Sequence, residues 1–117
     1  MGKSQAWEDL HRLTQDEESR VRHSAVEALG EAFGLVPDHG QAWKDLHRLT
    51  GDLDSEVRMK TAHALGAAFQ NVPDKEAAWK DLHRLTGLKD GFVRREAAGA
   101  LGAAFQNVPD KEAAWKD

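Results

Sequence analysis

The chain reads as an all-α protein, an α-solenoid of antiparallel helix pairs stacked with a 36-residue period, and three features carry that reading. Trp7, Trp43, Trp79 and Trp115 stand 36 residues apart, and the same step relates Pro37, Pro73 and Pro109, then Leu29, Leu65 and Leu101, then Phe33, Phe69 and Phe105. Such self-similarity marks a stacked array. Within each unit, apolar residues recur at spacings of three and four, the period of an amphipathic helix. A unit of 36 residues falls below the roughly 40 at which an isolated domain folds without staples, and the chain has no cysteine to supply one. Neighbouring units must therefore complete one another's core.

One domain spans 1–117, with units at 5–40, 41–76 and 77–112 and the start of a fourth at 113–117. The second and third units match at 27 of 36 positions, which points to recent duplication or consensus design. In the second unit Ala42, Leu46 and Leu49, beside Trp43, form the apolar stripe of a first helix. Pro37-Asp38, Pro73-Asp74 and Pro109-Asp110 break the chain ahead of that helix and offer a carboxylate cap, worth about 1 kcal/mol. Thr50-Gly51 closes it. After a short turn, Val57, Thr61, Ala64, Leu65, Ala68 and Phe69 share one face of a second helix. Asp54 and Asp90 are the expected caps of that helix, while the first unit offers only Glu18 or Ser19. Gly30, Gly66 and Gly102 interrupt the second helices at equal phase. Each costs about 1 kcal/mol relative to Ala, so the recurrence predicts close backbone approach.

The stretch Asp54-Ser55-Glu56-Val57-Arg58, followed by Ala62, Ala64, Leu65 and Gly66, resembles HEAT-like repeats of the lyase-associated type, as does Asp90-Gly91-Phe92-Val93-Arg94 with Ala97, Ala98, Ala100, Leu101 and Gly102. The resemblance covers nearly the whole chain; Glu18 departs from it in the first unit. It implies a right-handed superhelix with first helices on the convex side and second helices on the concave side. It also implies an inter-repeat ladder of Arg22, Arg58 and Arg94 reaching acidic partners, with Asp54 and Asp90 as its carboxylates. A guanidinium can join two acceptors at once, which suits a place between successive turns. Tetratricopeptide repeats compete for Trp43, Leu46 and the downstream Phe and Pro, but their period is about 34 and their Gly and aromatic signature is missing.

Composition excludes several function classes. Sixteen basic against 20 acidic residues give a net charge of −4, so no overall positive field attracts nucleic acid or anionic lipid. No apolar run approaches the roughly 18 residues of a membrane span, and Met1-Gly2-Lys3-Ser4 carries no apolar signal core. The lack of cysteine excludes thiolate zinc sites and thiol nucleophiles, and agrees with the expected cytoplasmic location. His11, His47 and His83 recur on the polar flank of the first helix and are expected to be solvated. Units stacked about 8–10 Å apart do not bring three imidazoles to the roughly 2 Å that zinc requires. His23, His39 and His63 have no ligand spacing, and no His precedes Glu as in the di-iron members of the HEAT-like group. Gly2-Lys3-Ser4 lacks the upstream glycine and strand of a phosphate loop. No catalytic residue, metal or cofactor is expected, because repeated surface positions do not converge on one dry pocket.

The units disagree along one stripe of the second helix. Arg20, His23, Ser24, Glu27 and Glu31 become Glu56, Met59, Lys60, His63 and Ala67, then Phe92, Arg95, Glu96, Gly99 and Ala103. Their spacing places them on one face, where Phe92 and Met59 would anchor a protein or peptide partner within a charged rim. An alternative rests on the ends of the array. Trp7 and Trp115, uncovered by polar capping repeats, would let copies associate head to tail into a homo-oligomer.

Overall fold

Six α-helices form among residues 2–105, the part of the chain that this computed structural model describes: α1 (Lys3–Leu13), α2 (Ser19–Ala32), α3 (His39–Leu49), α4 (Ser55–Ala68), α5 (Lys75–Leu85) and α6 (Gly91–Ala104). Single 3-10 turns at Phe33–Leu35 and Phe69–Asn71 follow α2 and α4. No strand occurs among the described residues. Pro109, Asp110 and Trp115 lie outside them.

Carboxylates set the helix starts as expected. Asp38 accepts the Gln41 N–H at 2.9 Å and Asp74 the Ala77 N–H at 3.0 Å, while Asp54 accepts from Glu56 and Val57 and Asp90 from Phe92 and Val93. Each bond satisfies a donor that the first helical turn leaves open. In α2 the cap position holds Glu18, whose side chain makes no capping bond. The helix ends differ from the expected glycine closure, since no glycine among the described residues has positive φ. Thr14 and Thr50 stay in right-handed geometry and turn their hydroxyls back on the carbonyls of His11 and His47, both at 2.6 Å. A threonine thus supplies the closure that a left-handed residue would otherwise give.

The odd-numbered helices form one layer and the even-numbered helices another. Helix α4 packs between α2 and α6, and each even helix also packs against its own odd partner. Across 46 × 27 × 16 Å of Cα extent, the core runs continuously along the contact between layers, through Leu29, Phe33, Leu46, Leu49, Leu65, Phe69, Leu82, Leu85 and Val93. Burying each large side chain stabilises the fold by about 1.5–3 kcal/mol. Burial is deepest at the centre: Leu46 and Leu49 are fully buried, whereas their counterparts Leu10 and Leu13 are half-exposed.

Glycine allows the even helices to meet. A Cβ on Gly30 would stand 2.7 Å from the Ala64 Cβ and 2.9 Å from its Cα; one on Gly66 would stand 2.8 Å from both atoms of Ala100. The obstacle includes backbone, which cannot swing aside as a flexible side chain can. Two of the three recurrent glycines therefore mark close backbone contact, and Gly102 has no described neighbour within 4 Å. We expect Gly66→Ala to destabilise the protein by about 1–3 kcal/mol through forced separation of α4 and α6, despite its better helix propensity. Gly99→Ala, where a Cβ meets open space, should instead stabilise by up to about 1 kcal/mol. Urea denaturation of both variants checks the opposite signs.

Candidate functional site

Polar side chains gather in three places: the turns that join odd to even helices, the contacts between odd helices, and the outer face of the even helices. At the first turn, Arg22 grips Asp52 with two bonds, Nε to Oδ2 at 2.8 Å and Nη2 to Oδ1 at 3.0 Å. Its Nη1 also donates to the Asp16 and Glu17 carbonyls. This is a ladder rung between units, but its carboxylate is Asp52 and not the expected Asp54. Asp54 is spent on capping α4, and its own N–H donates to Asp52 at 2.9 Å. Burial pushes the Asp52 carboxyl up. The Arg22 hydrogen bond, the Asp54 N–H and the charges of Arg22 and Arg58 outweigh that and hold it below the ordinary carboxylate range. The same bond makes Arg22 still more basic than usual.

The second rung is incomplete. Arg58 donates Nη1 to the Asp52 carbonyl at 2.6 Å, yet its Nε is buried without a hydrogen-bond partner among the described residues. The residue 36 positions beyond Asp52 is Leu88. Asp90, the carboxylate expected here, caps α6 instead; the Phe92 N–H, and further the Ser55 hydroxyl, the Val93 N–H and the Arg58 charge, hold it below its usual range. Arg94 donates to the Leu88 and Lys89 carbonyls of its own unit at 2.8 and 2.7 Å.

Of the histidines expected to be solvated, His47 and His83 are exposed and His11 is half-buried, but His11 and His47 each also engage a carboxylate of the next odd helix. His11 Nδ1 lies 2.7 Å from Asp45 Oδ2, and His47 Nδ1 lies 2.7 Å from Asp81 Oδ2. A carboxylate only accepts, so the imidazole donates in each pair. Asp45 is fully buried and also receives Gln41 and Arg48, while Arg48 Nη2 reaches back to the Thr14 hydroxyl at 2.9 Å. Arg84 repeats that reach to Thr50 at 2.7 Å. Each odd helix is thereby tied to the next by one imidazole and one guanidinium. The signal for these ties was present in the sequence as the recurrent Asp-Leu-His-Arg, whose partner stands 34 residues away.

The residues of the variable stripe differ in exposure. Arg20, Ser24, Glu27, Glu56, His63, Phe92 and Arg95 are exposed, and His23, Met59, Lys60 and Glu96 are half-buried. Two pairs cross between helices: Lys60 Nζ to Glu27 at 3.2 Å and His63 Nδ1 to Glu96 at 3.4 Å. Met59 packs against the core and so offers less free surface than expected. Phe92 is 63% exposed, with the Arg95 guanidinium 5.4 Å from its ring centre. One turn further along α6 begins a groove of about 410 Å³ between α4 and α6, lined by His63, Gly66, Ala67, Glu96, Gly99, Ala100 and Ala103. Among the described residues no group of three His, Cys, Asp or Glu side chains could hold a metal ion, and no helix is long and apolar enough to cross a membrane. Compared with known proteins, the chain matches no family model, no curated protein and no solved structure.

The Asp52 rung has a pH signature. Because its folded-state carboxyl is more acidic than in the unfolded chain, its stabilisation is fully present above the unfolded value. It is lost as pH falls through the folded one. We expect Asp52→Asn to lower the melting temperature by several degrees at neutral pH and to flatten the decline below about pH 4, as thermal melts across an acid series would show.

Proposed function

We propose that the chain is a right-handed α-solenoid of HEAT-like type, without enzymatic activity, and that the outer stripe of its even helices binds a protein or peptide along the concave side. The observation that carries this reading is Phe92, a large aromatic 63% exposed on α6. An exposed ring among charged side chains, one helical turn from an apolar groove, suits a binding hot spot, where burial of one aromatic supplies much of the affinity. The floor of that groove consists of Gly66, Ala67, Gly99, Ala100 and Ala103. These residues are small enough to admit a partner's side chains. Lys60 with Glu27 and His63 with Glu96 give the rim both signs of charge, which favours a mixed polar partner over a polyanion. Peptides selected from a displayed library against the folded protein test the reading. Phe92→Glu, with helicity retained, should weaken the selected binders at least about tenfold. Undiminished binding to that variant would remove Phe92 as the anchor.

A second reading, association of copies head to tail, draws on the open face of α1. Trp7, Leu10 and Leu13 are only half-buried where the inner units bury the equivalent leucines, and Leu35 is 70% exposed. Trp7, Leu10 and Leu35, with Ala6, Ala32, Val36 and Pro37, rim an apolar recess of about 180 Å³. A second copy presenting its Trp115 segment would cover this face. Sedimentation over a wide concentration range should then show a mass that rises with concentration and reverts to monomer in both Trp7→Glu and Trp115→Ala.

A further inference from the structure

The two turn grooves of the protein occupy equivalent places 36 residues apart and have opposite charge balance. The first, about 530 Å³, is lined by Arg22 and Arg48 against Asp16, Glu17 and Asp52. The second, about 460 Å³, is lined by Arg58, Arg84 and Lys89 against Asp52 and Asp90. Three exchanges cause the reversal, against the one carboxylate that Asp90 adds: Leu53 stands where the first groove has Glu17, Leu88 where it has Asp52, and Lys89 where it has Leu53. Both carboxylates of the second groove are already committed, Asp52 to Arg22 and Asp90 to the amides of α6. Arg84 is held by Thr50 and Asp81. Arg58 is left with its buried Nε unpaired.

An unpaired buried guanidinium donor is costly, and the first groove shows what satisfies one here. There the fork of Arg22 closes on a carboxylate through Nε and Nη2, the planar geometry that makes arginine selective for carboxylates. We propose that the second groove is a carboxylate-binding site, in which an acidic side chain of a peptide partner takes the place relative to Arg58 that Asp52 takes relative to Arg22. Lys89 adds a second cation at the rim. Leu88 lines the same groove, as does Arg58. The site lies at the turns between odd and even helices. It is separate from the α6 stripe, so it stands or falls independently of the Phe92 reading.

The probe is a short, capped, fluorescent peptide alternating Gly with Glu, with a Gly and Gln peptide as the uncharged control, measured by anisotropy at low and moderate salt. The chain carries a net charge of −4, so association of an acidic peptide must come from a local site. Wild type should bind the Glu peptide with a Kd no weaker than about 1 mM and bind the Gln peptide at least about tenfold more weakly. Leu88→Asp supplies the missing carboxylate from within, and should raise the melting temperature while weakening the Glu peptide at least about tenfold. Lys89→Leu, a change at an exposed position, should weaken binding severalfold with the fold intact, which keeps the test decisive if Leu88→Asp fails to fold. Ala67→Asp, on the far stripe, makes the same change in net charge and should leave binding unaltered. Equal binding by wild type and Lys89→Leu, an Ala67→Asp effect as large as that of Leu88→Asp, or no binding by wild type would each overturn the assignment.

Discussion

Backbone contact between neighbouring even helices is the constraint from which the rest of the arrangement follows. Where Gly30 meets Ala64 and Gly66 meets Ala100, a single methyl group separates the two chains, and an added Cβ would stand 2.7–2.8 Å from its neighbour. That proximity sets how far α2, α4 and α6 stand apart, and the short turns transmit the same spacing to α1, α3 and α5. Only at that spacing do Leu46, Leu49, Leu82 and Leu85 close over the inner faces with exposures of 0–1%. The close-packed interior leaves little slack to absorb a change at the glycines.

The odd layer meets the same spacing with longer polar side chains. His11 and Arg48 reach across opposite directions of one interface, so a slip of either helix along its axis would break both ties. Asp45 is fully buried yet has three donors about it, His11, Gln41 and Arg48. A buried carboxylate so supplied contributes little net stability relative to an apolar residue, but a misaligned interface would strand its charge at a cost of several kcal/mol. Its contribution is therefore to registry. Asp81 performs the same task one unit on with fewer partners, since Ala77 stands where the second unit has Gln41.

Helix boundaries, caps and the core face were legible in the residues because each depends on interactions within a few positions. Asp38, Asp54, Asp74 and Asp90 cap as local rules require, and Gly30 and Gly66 announced close approach by recurring at a helical phase where glycine is unfavourable. What escaped lies between units. A histidine two positions after an aspartate reads as part of a solvated flank until the offset between stacked helices is known; that offset turns His11 toward Asp45. The choice of Asp52 over Asp54 as the Arg22 partner has the same origin. Both carboxylates lie on one turn; the capping role of Asp54 was legible, but only the three-dimensional path shows that Asp52 is the one that reaches Arg22. Leu88 carries no signal of its own in the sequence, because its meaning depends on the arginine that lines the same groove.

The central place of α4 has a further consequence. It is covered by α2 on one side and α6 on the other, and Val57, Ala62 and Leu65 within it show no exposure at all. Local opening in a nearest-neighbour array starts where coverage is one-sided. Backbone amides of α4 should thus exchange with deuterated solvent last, close to the rate set by global unfolding, while α1 frays through partial openings that leave the middle pair intact.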